Sequence, residues 1–196
     1  SGVHALGQVA HFKSTTTLSS QKIKSALNGV LPRDIRVASV EDAPLDFHAR
    51  YCAVTKVYRY FIQSQAHPSP FFNRYSYWCK FLLDVRLMKE ASRLLLGTHD
   101  FKAFCASGSE NKDATRTIKH VSITTANILS CHMISIEIEA DGFLHNMVRN
   151  IVGTLLDVGR VRLSPGSIKK ILRKKQRALA GPCVPAKGLF LMRVNY

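Results

Sequence analysis

A chain of 196 residues with 46% hydrophobic content is long enough for one domain, or two small ones, with a proper core. Its 28 Lys+Arg against 13 Asp+Glu give a formal net charge of +15, which favours a polyanion as partner: nucleic acid or an anionic membrane surface. No apolar run approaches the ~20 residues that span a bilayer, and the scattered cysteines Cys52, Cys79, Cys105, Cys131 and Cys183 form no CxxC pair, which argues against a zinc site or a disulfide framework and for a reduced, intracellular setting.

In chain order, the opening run Gly2–Phe12, GVHALGQVAHF, carries His4 and His11 without a third ligand at useful spacing, so no metal site is read there. The chain starts at Ser1-Gly2 with neither methionine nor signal peptide and reads as part of a longer polypeptide. Ser19 or Ser20 is placed to cap a short helix through Gln21, Ile23, Lys24 and Leu27, ended by Asn28-Gly29. Leu31-Pro32 and Asp34 form a turn, and Ile35 to Val40 reads as a strand. After the Pro44 breaker, Asp46-Phe47-His48-Ala49-Arg50 leads into the best strand of the chain, Cys52 to Gln63. On it Val54, Lys56, Tyr58, Tyr60 and Ile62 share one face, and Val57, Arg59 and Phe61 the other. Neither face is cleanly apolar, which suits a central strand exposing a site at one end. Its tyrosines fit two roles: core rings with tethered hydroxyls, or flat rings beside cations that stack on a nucleobase, worth ~1–3 kcal/mol per base.

His67-Pro68-Ser69-Pro70 is a loop, since two prolines do not sit in a central strand. The aromatic residues Phe71, Phe72, Tyr75, Tyr77 and Trp78 are read as a patch anchoring it. Asp84 caps a helix with apolar Val85, Met88, Ala91 and Leu95, closed by Gly97. Phe101 and Phe104 are assigned to the core and Asp100 to a local cap. A polar connection, Ala106 to Ala114, precedes two strands of a hairpin, Lys119 to Thr125 and Cys131 to Glu139. In the second strand Ile134, Ile136 and Ile138 alternate with Ser135, Glu137 and Glu139, so the two glutamates are expected to face water.

The stretch Ala140 to Arg160 concentrates the chemistry. Asp141-Gly142 reads as a turn or a helix start; Leu144, Met147, Val148, Ile151, Val152 and Leu155 recur at helical spacing; Gly159 closes the helix, where a left-handed residue is wanted. One charge interrupts this helix, Arg149, with His145 and Asn146 one turn before it. Either it is a surface arginine at the edge of the stripe, or it is aimed into a site at a carboxylate or phosphate. Ser164-Pro165 starts a last helix bearing Lys169, Lys170, Arg173, Lys174, Lys175 and Arg177, a cationic face suited to an RNA backbone. Gly181-Pro182 and Pro185 form a loop, and Leu189 to Asn195 a closing strand. These elements predict an α+β fold: a mixed, mainly antiparallel sheet with packed helices.

Several of these stretches carry a resemblance. Gly2–Phe12, Asp46–Arg50 (DFHAR), Lys56–Ile62 (KVYRYFI), Leu95–Phe104 (LLGTHDFKAF), Thr115–Ile118 (TRTI), Phe143–Gly159 (FLHNMVRNIVGTLLDVG) and Lys187–Tyr196 (KGLFLMRVNY) resemble, in order, the motifs of the TruA-type family of tRNA pseudouridine synthases. The resemblance implies the pseudouridine synthase fold with its active site in a basic cleft. It implies a cofactor-independent, metal-free isomerase that converts uridine to pseudouridine in the anticodon arm of tRNA, at positions 38 to 40, and works as a homodimer away from membranes, in the cytoplasm or an organelle. Residues 1–65 would hold the remainder of an N-terminal catalytic subdomain, including the tyrosine strand, and 66–196 a C-terminal α/β subdomain completing the cleft. Tyr58 is similar to the family's active-site tyrosine, whose ring packs on the target base. Arg149 is similar to the arginine that holds the catalytic aspartate ionised, and Leu189 to the apolar wall of the pocket. His48, Arg50 and Arg59 are candidates for lining the cleft or contacting phosphate. The family's aspartate nucleophile sits in an Arg-Thr-Asp motif that would fall just before Ser1, so this chain alone is expected to be inactive. A non-catalytic tRNA-binding module on the same scaffold is the alternative. A Cys- or Ser-dependent hydrolase finds no nucleophile-elbow pattern to support it.

Overall fold

The structure, a computed structural model, describes residues 2–106 and 113–196. The chain divides into two compact units: Ser1–Gln8 with Ala53–Tyr196, and Val9–Cys52. The elements in chain order are β1 (His4–Ala5), α1 (Ser20–Val30), β2 (Thr55–Ser64), β3 (Tyr77–Cys79), α2 (Val85–Arg93), β4 (Gly97–Asp100), β5 (Thr115–Ile128), β6 (Cys131–Ala140), α3 (Met147–Gly159), α4 (Ser167–Lys174) and β7 (Leu189–Asn195). Among the described residues, no helix is long and apolar enough to cross a membrane.

The larger unit is built on one sheet of order β1-β7-β2-β6-β5-β4, with β3 pairing the far end of β2. β1 runs parallel to β7 and β3 parallel to β2; all other pairs are antiparallel, so the sheet is mixed and mainly antiparallel, as expected. β2 is its centre. Tyr58 lies opposite Ile138 and Leu191, and Tyr60 opposite Ile136 and Leu189, so alternate β2 residues meet apolar partners on both sides. A bulge between Val57 and Tyr58 breaks the β7 register and re-aims the chain just where Tyr58 emerges. Tyr60, Ile62, Ile134, Ile136 and Ile138 form a sheet face with no solvent exposure, in one core cluster with Met88 and Ala91 of α2 and Ile151 and Leu155 of α3. Phe101 and Phe104 are fully buried beneath them, as their spacing predicted. Burying one such side chain contributes about 1.5–3 kcal/mol.

Local signals placed the helices closely. Ser19 Oγ accepts from the Lys22 amide at the start of α1, and Asp84 Oδ1 accepts from the Leu87 amide (3.0 Å) at the start of α2. Other helix boundaries differ. α3 starts at Met147 rather than Asp141-Gly142, because Asn146 is left-handed (φ 62) and breaks the helix, while Asp141 Oδ1 accepts from the Thr117 amide (3.0 Å). Gly159 is the last helical residue and not left-handed; Val161 is (φ 61). Gly159 instead packs closely on α2: a Cβ there would lie 2.7 Å from Met88 Sδ, so the Met88 side chain would have to shift. α4 begins at Ser167, after the turn Ser164-Pro165-Gly166.

In the smaller unit the strand expected over Ile35–Val40 does not form. No strand pairs with that segment. The Asn28 side chain takes the place of a ladder: its Nδ2 donates to Val37 O (3.0 Å) and its Oδ1 accepts from Val37 N (2.8 Å). The polar connection read at Ala106–Ala114 falls largely on residues 107–112, outside the described residues.

Candidate active site

In the larger unit β1, β2, β7 and the start of α3 surround a cavity of about 480 Å³. Leu144, Leu189 and Leu191 make apolar walls, and His4, Asn146 and Arg149 are among its polar lining. A few polar groups converging on an apolar wall is the usual make-up of a small-ligand pocket. Tyr58 and Phe143 complete it, their rings edge-to-face at 5.1 Å and 85°.

The two β2 tyrosines stand in different settings. Tyr58 lines the cavity, and burial pushes its hydroxyl above the usual tyrosine range, so it stays protonated through neutral pH. Tyr60 is fully buried and its hydroxyl donates to Pro185 O (2.7 Å). Burial pushes that hydroxyl up too, against an opposing pull from the Arg149 charge. Gly188 then turns the chain closely past Tyr60: a Cβ there would lie 2.6 Å from Tyr60 Cζ. The next residue, Leu189, is thereby set as the pocket wall, 6% exposed.

Arg149 sits in the first turn of α3 and is half-buried. Its Nε donates to Val184 O (2.6 Å) and its Nη1 to Asn146 Oδ1 (2.8 Å). Asn146 thus holds the arginine instead of capping the helix. Among the described residues no carboxylate pairs with Arg149 and nothing bonds its Nη2. A guanidinium satisfied by neutral oxygens keeps its full charge, and the positive end of the helix dipole adds to it. The arrangement suits a carboxylate or phosphate in the cavity.

The other sequence candidates lie elsewhere. Arg59 is on the opposite face of β2 and does not line the cavity; its Nε donates to Glu137 Oε2 (2.9 Å), its cross-strand neighbour. The expectation that Glu137 and Glu139 face water is corrected: their side chains are 18% and 22% exposed. Glu139 accepts from Thr55 Oγ1 (2.7 Å), so both glutamates are tied to the neighbouring strand. His48 and Arg50 belong to the smaller unit. His48 Nδ1 accepts from the Arg50 and Tyr51 amides (3.1 and 3.3 Å), its ring lies 4.4 Å from that of His11, and the Arg50 guanidinium lies over the Tyr51 ring.

Sequence reasoning did not single out His4 or Phe143 as cavity residues. His4 stacks on Phe190 (4.8 Å, 30°) and its Nε2 meets Arg74 O at 3.0 Å. The signal was available: both lie inside the motif runs quoted above. The basic helix also proves uneven. Lys175 pairs with Asp100 (2.8 Å), and Arg177 is bonded into α3, which leaves Lys169, Lys170, Arg173 and Lys174 exposed. Asp100 also accepts from the Lys102 amide (2.9 Å), the local cap that was expected.

A family model described as tRNA pseudouridine synthase matches residues 91–196. The chain is 45% identical over 197 residues to tRNA pseudouridine synthase A of Bacillus subtilis (strain 168), a match that covers 100% of this chain and 78% of that protein. It is 44% identical over 195 residues to tRNA pseudouridine synthase A of Geobacillus kaustophilus (strain HTA426), covering 100% of this chain and 74% of that one. It is 45% identical over 196 residues to tRNA pseudouridine synthase A 2 of Clostridium perfringens (strain 13 / Type A), covering 100% and 79%. Identity of this level, sustained from one end of the sequence to the other, means that the chain belongs to the TruA-type family of tRNA pseudouridine synthases.

Proposed function

We propose that these residues form the larger part of a tRNA pseudouridine synthase acting on uridines of the anticodon arm, at tRNA positions 38 to 40. The observation that carries this reading is the meeting of Tyr58, Arg149 and Leu189 in one cavity, beside β1 at the start of the chain. The 196 residues contain no Arg-Thr-Asp motif; on this reading the aspartate nucleophile comes from outside them. Residues 1–65 complete a catalytic subdomain, 66–196 close the cleft, and two copies grip one tRNA as a homodimer.

Uridine loses its bond from C1′ of the ribose to N1 of the base, the base turns, and C1′ rejoins through C5 while the C5 proton moves to nitrogen. Substrate and product are isomers, so nothing enters or leaves and no co-reactant is required. The stacked base must first be turned out of the RNA into the pocket. Arg149 pairs with the aspartate and keeps it ionised at neutral pH. The Tyr58 ring packs on the flipped base. Leu189 closes the other side and excludes water. His48 and Arg50 contact phosphate; Arg59, engaged by Glu137, holds the sheet.

The test is to incubate unmodified tRNA with the full polypeptide, upstream motif included, and map pseudouridine by carbodiimide adducts that stop reverse transcription. Stops at positions 38 to 40 are expected, and none with a chain beginning at Ser1. Intact tRNA binding without any pseudouridine would overturn the catalytic reading in favour of a tRNA-binding module. Stops elsewhere would overturn the site.

A further inference from the structure

We infer that Arg177 is a positioning residue for Arg149, acting through the segment between Arg177 and Gly188. The inference rests on the catalytic reading of Arg149 above. Arg177 does not line the cavity, yet its guanidinium reaches across to α3. Its Nη2 donates to Asn150 Oδ1 (2.9 Å) and its Nη1 to Gly181 O (2.9 Å) and Ala180 O (3.2 Å). Asn150 is 1% exposed and its Nδ2 is already fixed, donating to Phe104 O (2.7 Å). Arg177 therefore clasps its own segment to a rigid point one residue along α3 from Arg149.

Two further interactions hold the same segment. Fully buried Thr154 accepts from the Gly181 amide (2.8 Å) and donates to Asn150 O (2.8 Å). Gly153 lies so close to the segment that a Cβ on it would stand 1.7 Å from Pro182 O, so helix and segment meet backbone to backbone. Beyond that weld the segment presents two successive carbonyls. Val184 O accepts from Arg149 Nε (2.6 Å), and Pro185 O accepts from the Tyr60 hydroxyl (2.7 Å). The direction of the Arg149 fork is thus set by a carbonyl whose place depends on Arg177 at one end and Tyr60 at the other. Arg177 meets only neutral oxygens among the described residues. Its planar fork spans Asn150 and the segment at once, a geometry that lysine lacks.

Loosening this clasp shifts Arg149 without removing it. The nucleophile then loses part of its cationic partner, its pKa rises, and the acid limb of the rate profile moves to higher pH. The experiment is single-turnover pseudouridine formation against pH, with tRNA affinity and melting temperature, for the full polypeptide and its Arg177→Gln, Arg177→Lys, Tyr60→Phe and Arg149→Ala variants. For Arg177→Gln a rate loss of about tenfold to a hundredfold at neutral pH is expected. Its acid limb should move up by about one pH unit, with affinity for tRNA within about twofold of the parent. Tyr60→Phe, which keeps core volume and loses one tether, should move the limb the same way by less, and Arg177→Lys should recover only part of the rate. If Arg177→Gln and Tyr60→Phe lower only the melting temperature and leave the limb unmoved, the positioning role is wrong and the residues are merely structural. An Arg149→Ala variant that retains the parent rate would sink the underlying reading itself.

Discussion

Arg59 and Arg149 are two half-buried arginines on opposite sides of the same central strand, and the fold handles them in opposite ways. Arg59 faces Glu137 across the sheet and meets it through two nitrogens. Arg149 meets a backbone carbonyl and a side-chain amide. A carboxylate neutralises its arginine and holds it still; neutral oxygens hold it still and leave the charge for a ligand. Burial and residue type therefore say little about function until the partner of the charge is known.

The largest expected effect separates the two. In the full polypeptide Arg149→Ala should abolish single-turnover pseudouridine formation, a loss of at least about a thousandfold, while melting stays within a few degrees. Arg59→Ala should leave the rate within about threefold and lower stability by about 1–2 kcal/mol, read by urea titration. A reversed pattern would break the assignment. Next comes Tyr58: if its ring carries most of the role, Tyr58→Phe should be at least about tenfold more active than Tyr58→Leu, in line with the worth of one stacked base. Equal activities would move the role from the ring to the hydroxyl.

The α4 cations allow the same contrast between charges that are free and charges that are engaged. Replacing Lys169, Lys170, Arg173 and Lys174 together by Gln should flatten the salt dependence of tRNA binding, by about 0.9 in log–log slope for each duplex phosphate no longer neutralised. Replacing Lys175, already paired with Asp100, should leave the slope unchanged. The smallest effect concerns Asp100. Its slight burial pushes the carboxyl up, but hydrogen bonds from Lys175 and the Lys102 amide, with both lysine charges, outweigh that and hold it below the usual range. A lowered folded-state value contributes stability above the unfolded value, near about 3.9, and that stability is lost as pH falls through the folded value. Asp100→Asn should thus be less stable than the parent at neutral pH by under about 0.5 kcal/mol, given its solvent exposure, and the two should converge in acid. Denaturant midpoints across pH would show it.

How far the fold was legible depended on the range of the interaction. The Ser19 and Asp84 caps act within three residues, and both helices start as read. The alternation of Ile134, Ile136 and Ile138 gave the buried face of β6, but a strand seen alone does not show that Arg59 waits opposite Glu137. Ile35–Val40 has strand composition, yet a strand needs a neighbour, and the Asn28 amide satisfied Val37 instead. In the candidate site Tyr58, Arg149 and Leu189 were legible because whole motifs carry them. What aims Arg149 was not. Val184 and Pro185 act through carbonyls, which every residue has, so no side-chain pattern announces them.

The position of β7 has a consequence for biosynthesis. This strand, the last in the sequence, is inserted between β1 and β2, two of the earliest. Chains emerge from the ribosome N-terminus first, at about 5–20 residues per second. Until Leu189–Asn195 has emerged, β1 lacks its partner in the sheet, β2 carries an open edge, and the pocket lacks its Leu189 wall. The cavity is therefore unfinished until β7 is in place. A chain cut short just before β7 would leave that β2 edge unpaired, a template for pairing with other chains, and the cavity without its Leu189 wall.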